Sequence, residues 1–149
     1  MLRLTRRYNF CASHRLHLDS LSDRENEELF GKCNNPYGHG HNYVLHVTVR
    51  GRADDETGLL IGREELDRAV RADVLPRIDH KDMNEAVPEF AALNPTTENL
   101  AQVIGGWLCR SWRERFPEDG PKLSRIVLEE TGRNTFTLEM EGPDGRQDR

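Results

Sequence analysis

The sequence predicts an α+β domain: an antiparallel sheet of four strands with two helices on one side, in the chain order strand, strand, helix, helix, strand, strand. Three observations predict it. Apolar residues alternate over 2–14 and 44–50, the two-residue period of a half-buried strand. Over 63–75, and again from Thr96 onward, they recur three and four residues apart, the period of an amphipathic helix. Near the end, 123–130 and 135–141 alternate again across a turn through Gly132 and Asn134, the pattern of a hairpin.

Composition narrows the function. With 149 residues and 36% hydrophobic content, residues 1–149 fit a single domain, and the polar 142–149 read as a disordered tail. A formal charge of -5, with basic residues interspersed among acids, argues against a nucleic-acid partner. A polyanionic small molecule needs only a local basic cluster and stays compatible. There is no run of eighteen apolar residues, and Met1 to Arg7 lacks the core of a signal peptide, so the expectation is a cytoplasmic protein with no membrane contact. Three cysteines, Cys11, Cys33 and Cys109, are too few and too irregular for a disulfide framework and are read as free thiols.

In the first strand Leu2, Leu4, Tyr8, Phe10, Ala12 and His14 share a face interrupted by Arg6. Cys11 falls on the opposite face and receives no role. His17 lies beyond the strand on the other parity and is read as a solvated loop residue. Ser22-Asp-Arg-Glu25 is a capping box, in which serine accepts from a backbone N–H and the glutamate three residues on reaches back; a short helix to Phe30 follows, with Gly31 placed to end it.

The stretch 31–43, Gly-Lys-Cys-Asn-Asn-Pro-Tyr-Gly-His-Gly-His-Asn-Tyr, concentrates the chemistry. His39 and His41 are two apart, so on a strand they point the same way, and their face continues as Tyr43, Leu45, Val47 and Val49. Imidazoles on a buried face need partners for their ring nitrogens, which backbone carbonyls or one shared metal ion can supply. If the first two strands pair, His14 joins them, giving the three-histidine set of a catalytic zinc site with its fourth position open. Cys33, in a polar turn beside Lys32, is in a setting expected to lower a thiol pKa.

Leu66, Ala69, Val70 and Val74 line the next helix, which Pro76 is expected to stop. Asp79 and His80 follow in a loop, either as a carboxylate and imidazole that tune one another or as a solvated turn. Thr96 is placed to cap the longest helix, with Glu98 near the positive end of its dipole; Leu100, Val103, Ile104, Trp107, Leu108 and Ser111 form its core stripe, with Cys109 read as packing. Gly105-Gly106 inside a helix costs roughly 1 kcal/mol each relative to alanine, a sign of close approach by another element. Glu130 prolongs the face of Ile126 and Leu128, so its carboxylate either frays into solvent or accepts from a ligand with adjacent N–H groups. The mixed second faces of the strands, with Val44, Thr48 and Val127, point to partial cover by other subunits.

Five separated motifs, Phe10-Cys-Ala-Ser-His14-Arg-Leu, 29–43 around Cys33, His39 and His41, Asp79-His80-Lys, Thr96-Thr-Glu-Asn and Glu130-Thr, resemble in residues and order those of the 6-pyruvoyl-tetrahydropterin synthase family, over the chain to about Gly142. The resemblance implies the tunnelling fold, in which three subunits close their sheets into a barrel and two trimers stack as a hexamer with active sites at subunit contacts. It implies zinc on His14, His39 and His41, Cys33 as general base, Asp79 and His80 as a catalytic pair, Glu130 as anchor of the pterin ring, and Thr96, Thr97 and Glu98 nearby. Arg15 and Lys32 are the candidates for holding the triphosphate of the implied substrate, 7,8-dihydroneopterin triphosphate. Residue types alone leave two other readings, a structural zinc site with Cys33 as fourth ligand and a pterin-binding module without turnover. A close relative in the queuosine pathway takes the same substrate and forms 6-carboxy-tetrahydropterin, acetaldehyde and triphosphate. The five residues between Cys33 and His39 resemble the pyruvoyl-forming enzymes of tetrahydrobiopterin biosynthesis.

Overall fold

A computed structural model describes residues 1–140. Strand β1 (Leu2–His14) leads to helix α1 (Asp23–Phe30), a 3-10 turn (Gly31–Asn34) and strand β2 (His39–Gly51). Helix α2 (Arg63–Asp73), a single turn α3 (Leu75–Ile78), a two-residue strand β3 (Lys81–Asp82) and another turn α4 (Met83–Ala86) come next. The long helix α5 (Thr97–Arg115) and strands β4 (Lys122–Glu129) and β5 (Thr135–Glu139) complete the chain.

The sheet has five strands in the order β3-β1-β2-β4-β5. Four are antiparallel neighbours as expected, but β3 pairs parallel with β1 through Ala12 and Ser13, so the sheet is mixed and five-stranded, not four-stranded and antiparallel. A two-residue strand has no periodicity to read. It forms because the exposed edge of β1 offers hydrogen-bonding groups that the passing chain can satisfy.

The alternation on β1 and β2 puts Tyr8, Phe10, Tyr43, Leu45, Val47 and Val49 on one buried face. Leu66, Ala69 and Val70 of α2 and Leu100, Ile104 and Leu108 of α5 pack onto it and make one core with Ile126 and Leu128 of β4. Thus two main helices cover one side of the sheet. A Cβ on Gly105 would stand 2.8 Å from Leu138, so α5 approaches β5 as closely as a missing side chain allows. Gly106 has no such neighbour among the described residues.

Several boundaries differ from the expected ones. Helix α2 ends at Asp73, and Pro76 falls in the first turn of α3, where its missing N–H has no helical partner to lose. The Ser22 capping box is present, and Gly31 ends α1 at φ 54°, ψ -127°, which a side chain would make costly. Cys109 is exposed on the outer side of α5 and does not pack in the core, because the helix buries the stripe through Ile104, Trp107 and Leu108. The expected tail 142–149 and the last residue of the expected final strand lie outside the described residues. Among the described residues no helix is long and apolar enough to cross a membrane.

Candidate metal and active site

The register of β1 and β2 sets His14 opposite His39 and Ala12 opposite His41, which brings three imidazoles to one end of the buried sheet face. Their ring centroids are 4.5 to 5.3 Å apart. Nε2 of His41 lies 3.2 Å from Nε2 of His14, and Nε2 of His39 lies 3.0 Å from Sγ of Cys33. One donor atom from each of His14, Cys33, His39 and His41 falls within 4.8 Å of all the others.

Local structure explains the placement. The Leu16 N–H donates to the Cys33 carbonyl at 2.7 Å, and the Asn34 amide donates to the Leu16 carbonyl at 2.8 Å, tying the cysteine turn to the chain just after β1. The turn into β2 closes with the Gly38 N–H on the Asn35 carbonyl at 2.7 Å. Gly38 has φ +70°, and a Cβ there would sit 2.8 Å from the His14 carbonyl oxygen. Only glycine fits both the torsion and the space.

The donor set fits a metal ion. His14 is fully buried, and its Nδ1–H donates to the Pro95 carbonyl at 2.7 Å, which fixes the tautomer and leaves the Nε2 lone pair facing the other imidazoles. Burial holds His14 below the ordinary imidazole pKa against the opposing Pro95 bond, and burial does the same to His41 against the opposing charge of Glu130. Both are therefore in the neutral, ligating form near pH 7. Two nitrogens on one tetrahedral ion at about 2.0–2.1 Å would stand ~3.3 Å apart, close to the His14–His41 spacing. A sulfur and a nitrogen on the same ion would stand ~3.5 Å apart, so the Cys33–His39 spacing is that of a thiol touching an imidazole.

Glu130 sits one residue past β4 with its side chain 12% exposed, its Oε1 3.4 Å from Nε2 of His41. Its backbone N–H donates to the Asn134 carbonyl at 3.1 Å, so it is held and does not fray. The Cys33 thiol is pushed up by burial and then by Glu130, opposite to the expected depression. Lys32, the cation on which that expectation leaned, is exposed.

The other predicted residues fall in separate places. Arg15, Lys32, Asn34 and His39 border an open hollow of about 940 Å³ that Asp23 and Glu27 also line, and Nε of Arg15 donates to the Asn34 carbonyl at 3.2 Å. Thr96 caps α5, accepting from the Asn99 N–H at 3.2 Å, Glu98 is exposed, and Thr97 is buried with its hydroxyl unpartnered among the described residues, as is that of Tyr43. His17 is not solvated but partly buried, its Nδ1 3.0 Å from the Asn34 amide, because the turn carrying Cys33 folds back over it. Asp79 and His80 do not join the imidazoles. Oδ1 of Asp79 lies 2.9 Å from Nδ1 of His80, and His80 lines a hollow with Cys11, Ser13, Gly40 and Asn42, residues whose parity puts them on the opposite face of the sheet.

Sequence reasoning missed the Pro95 carbonyl, Asn34 and Tyr43. Tyr43 could have been found, since it continues the face of His41 and its hydroxyl must be buried there. A backbone carbonyl carries no residue signature.

The sequence profile described as 6-pyruvoyl tetrahydropterin synthase matches residues 3–141. A 6-pyruvoyl tetrahydrobiopterin synthase of Poecilia reticulata is 42% identical over 131 residues, 88% of this chain and 85% of the relative. The structure of Caenorhabditis elegans 6-pyruvoyl tetrahydropterin synthase superposes with a TM-score of 0.81 at 35% identity, covering 94% of this chain and 96% of the other. A 6-carboxy-5,6,7,8-tetrahydropterin synthase of Rickettsia bellii is 28% identical over 116 residues, 68% of this chain and 75% of the relative. With its described fold, a His/Cys group whose donors could hold a metal ion, and these likenesses, the chain belongs to the 6-pyruvoyl tetrahydropterin synthase family and is an enzyme of its lyase type.

Proposed function

We propose that the protein converts 7,8-dihydroneopterin triphosphate to 6-pyruvoyl-tetrahydropterin with loss of triphosphate, with zinc held by His14, His39 and His41. The observation that carries this reading is the convergence of three imidazoles beside Cys33 on a face closed by Glu130. When bound, zinc is a Lewis acid for the side-chain hydroxyls of the substrate and makes the neighbouring carbon-bound proton removable.

The protein's own residues supply the rest. Glu130 accepts from adjacent N–H groups of the pterin, a charge-assisted pairing that orients the ring. Cys33 takes the proton from the side chain and returns it toward the ring as general base and then acid. Arg15 and Lys32 receive the triphosphate in the hollow beside His39, while Thr96, Thr97 and Glu98 flank the pterin end at the start of α5. The short Cys33–His39 spacing favours a base over a fourth metal ligand, and so favours turnover over a closed structural site.

Asp79 and His80, on the far face of their own sheet, serve proton transfer at the Cys33 of a neighbouring subunit. That requirement supports an assembly in which three sheets close into a barrel and two trimers stack as a hexamer. Free thiols throughout suit the cytoplasm. The likeness to a 6-carboxy-forming relative keeps a second product in view, and the five-residue spacing between Cys33 and His39 favours the pyruvoyl product. Stripping the metal with a chelator should abolish triphosphate release, and zinc should restore it. Release at an unchanged rate from metal-free protein would refute the reading.

A further inference from the structure

Cys11, Asp79 and His80 form a second cluster of metal-ligating groups, one donor atom of each lying within 4.8 Å of the other two. It shares no donor with the group formed by His14, Cys33, His39 and His41. Cys11 points from the face of β1 opposite Ala12 and His14, toward a hollow of about 350 Å³ that Ser13, Asn42 and His80 also line.

The three donors are held together by the backbone. The Cys11 N–H donates to Oδ1 of Asp79 at 3.0 Å, and the His80 N–H donates to the Cys11 carbonyl at 2.7 Å. These bonds staple the loop to the strand edge. His80 has φ 59° and is the one non-glycine residue with positive φ among the described residues, a conformation that persists where its surroundings impose it. Its side chain is 79% exposed in the single chain, and its Nδ1 lies 2.9 Å from Oδ1 of Asp79. Asp82, which also lines the hollow, is occupied by Ser13 and by the start of α4, and Lys81 is exposed.

We propose that Cys11, Asp79 and His80 bind a second divalent cation of the zinc and cadmium class. A thiolate, a carboxylate and an imidazole are the donors such a borderline-to-soft ion prefers, and two anionic ligands neutralise its charge. Tetrahedral binding needs donor separations of roughly 3.2–3.6 Å, so the three donors, now within 4.8 Å of one another, draw together on binding. The hollow leaves the fourth position open to water. On binding, the Cys11 S–H proton passes to solvent; no other covalent bond changes.

Resting on the reading of Asp79 and His80 as a catalytic pair, the cation acts as an inhibitor, since it takes both side chains out of proton transfer. The test uses protein loaded with a single equivalent of zinc per chain, dialysed free of excess zinc and then titrated with cadmium. Equilibrium dialysis with metal analysis should find a second equivalent per chain, and a thiolate-to-cadmium ultraviolet band should appear that survives in Cys33→Ala and is absent in Cys11→Ser. In the unsubstituted protein, cadmium should protect Cys11 from N-ethylmaleimide, as mapped by mass spectrometry. Uptake of cadmium only by exchange for zinc, or alkylation of Cys11 at the same rate with and without cadmium, would overturn the site. Activity is read separately: it should fall as the second equivalent binds and persist in Cys11→Ser. A second equivalent that binds without loss of activity would uphold the site and refute the catalytic reading of Asp79 and His80.

Discussion

Cys33 and His39 touch at 3.0 Å, yet they are assigned different work, and substitution separates them. Cys33→Ala should keep zinc at one equivalent per chain while turnover falls by about a hundredfold or more, the usual loss when a general base is removed. His39→Ala should lose the metal. Metal analysis of the two purified proteins checks this, and a metal-free Cys33→Ala protein would restore the structural-zinc reading. At this scale the histidines were legible because a two-residue period and an apolar face leave few other places for them. The environment of the thiol was not legible. Glu130 is far from Cys33 in the chain, and its effect on the thiol depends on a distance that only the folded sheet sets.

The turn before β2 and the contact between α2 and α5 give predictions for whole elements. Gly38→Ala forces a side chain into a positive φ and against the His14 carbonyl, a strain of about 1–3 kcal/mol. Thermal melting should show a lower midpoint, and zinc affinity should fall because His39 starts the strand that the turn aims. Asp73 at the end of α2 accepts two bonds from Arg115 of α5, at 2.8 and 3.0 Å. Burial alone would raise the Asp73 pKa, but the Arg115 guanidinium and Ser111 outweigh it and hold it low. A carboxyl whose folded pKa is depressed stabilises the fold fully above its unfolded pKa and loses that contribution as pH falls through the folded value. Urea unfolding at neutral pH should therefore place Asp73→Asn about 1 kcal/mol or less below the parent, given that the pair is partly solvated, and the gap should close in strong acid. The long strands and α5 were readable because each repeats its period several times. The turns α3 and α4 and strand β3 were not, being two to four residues long and formed by the edge of β1 and by the Asp82 cap.

At the scale of the whole molecule, the sheet has one face under α2 and α5 and another that carries Thr5, His46, Thr48 and Glu129, with hydrogen bonds of 2.8 Å between the two threonines and 2.9 Å between His46 and Glu129. Its outer strand β5 leaves an edge that pairs with no strand among the described residues, and such edges are protected in solution by pairing or cover. Light scattering should give the mass of a trimer or its multiple; a monomer with full activity would refute the proposed assembly. The mixed second face was visible in the sequence, whereas the separation of Asp79 and His80 from Cys33 emerged only once strand parity was set in three dimensions. The most direct measurement is product identification with purified, zinc-loaded protein and 7,8-dihydroneopterin triphosphate. Mass spectrometry should find 6-pyruvoyl-tetrahydropterin and triphosphate in equal amounts without acetaldehyde. Acetaldehyde rising in step with triphosphate, or no turnover at all, would contradict the proposed reaction.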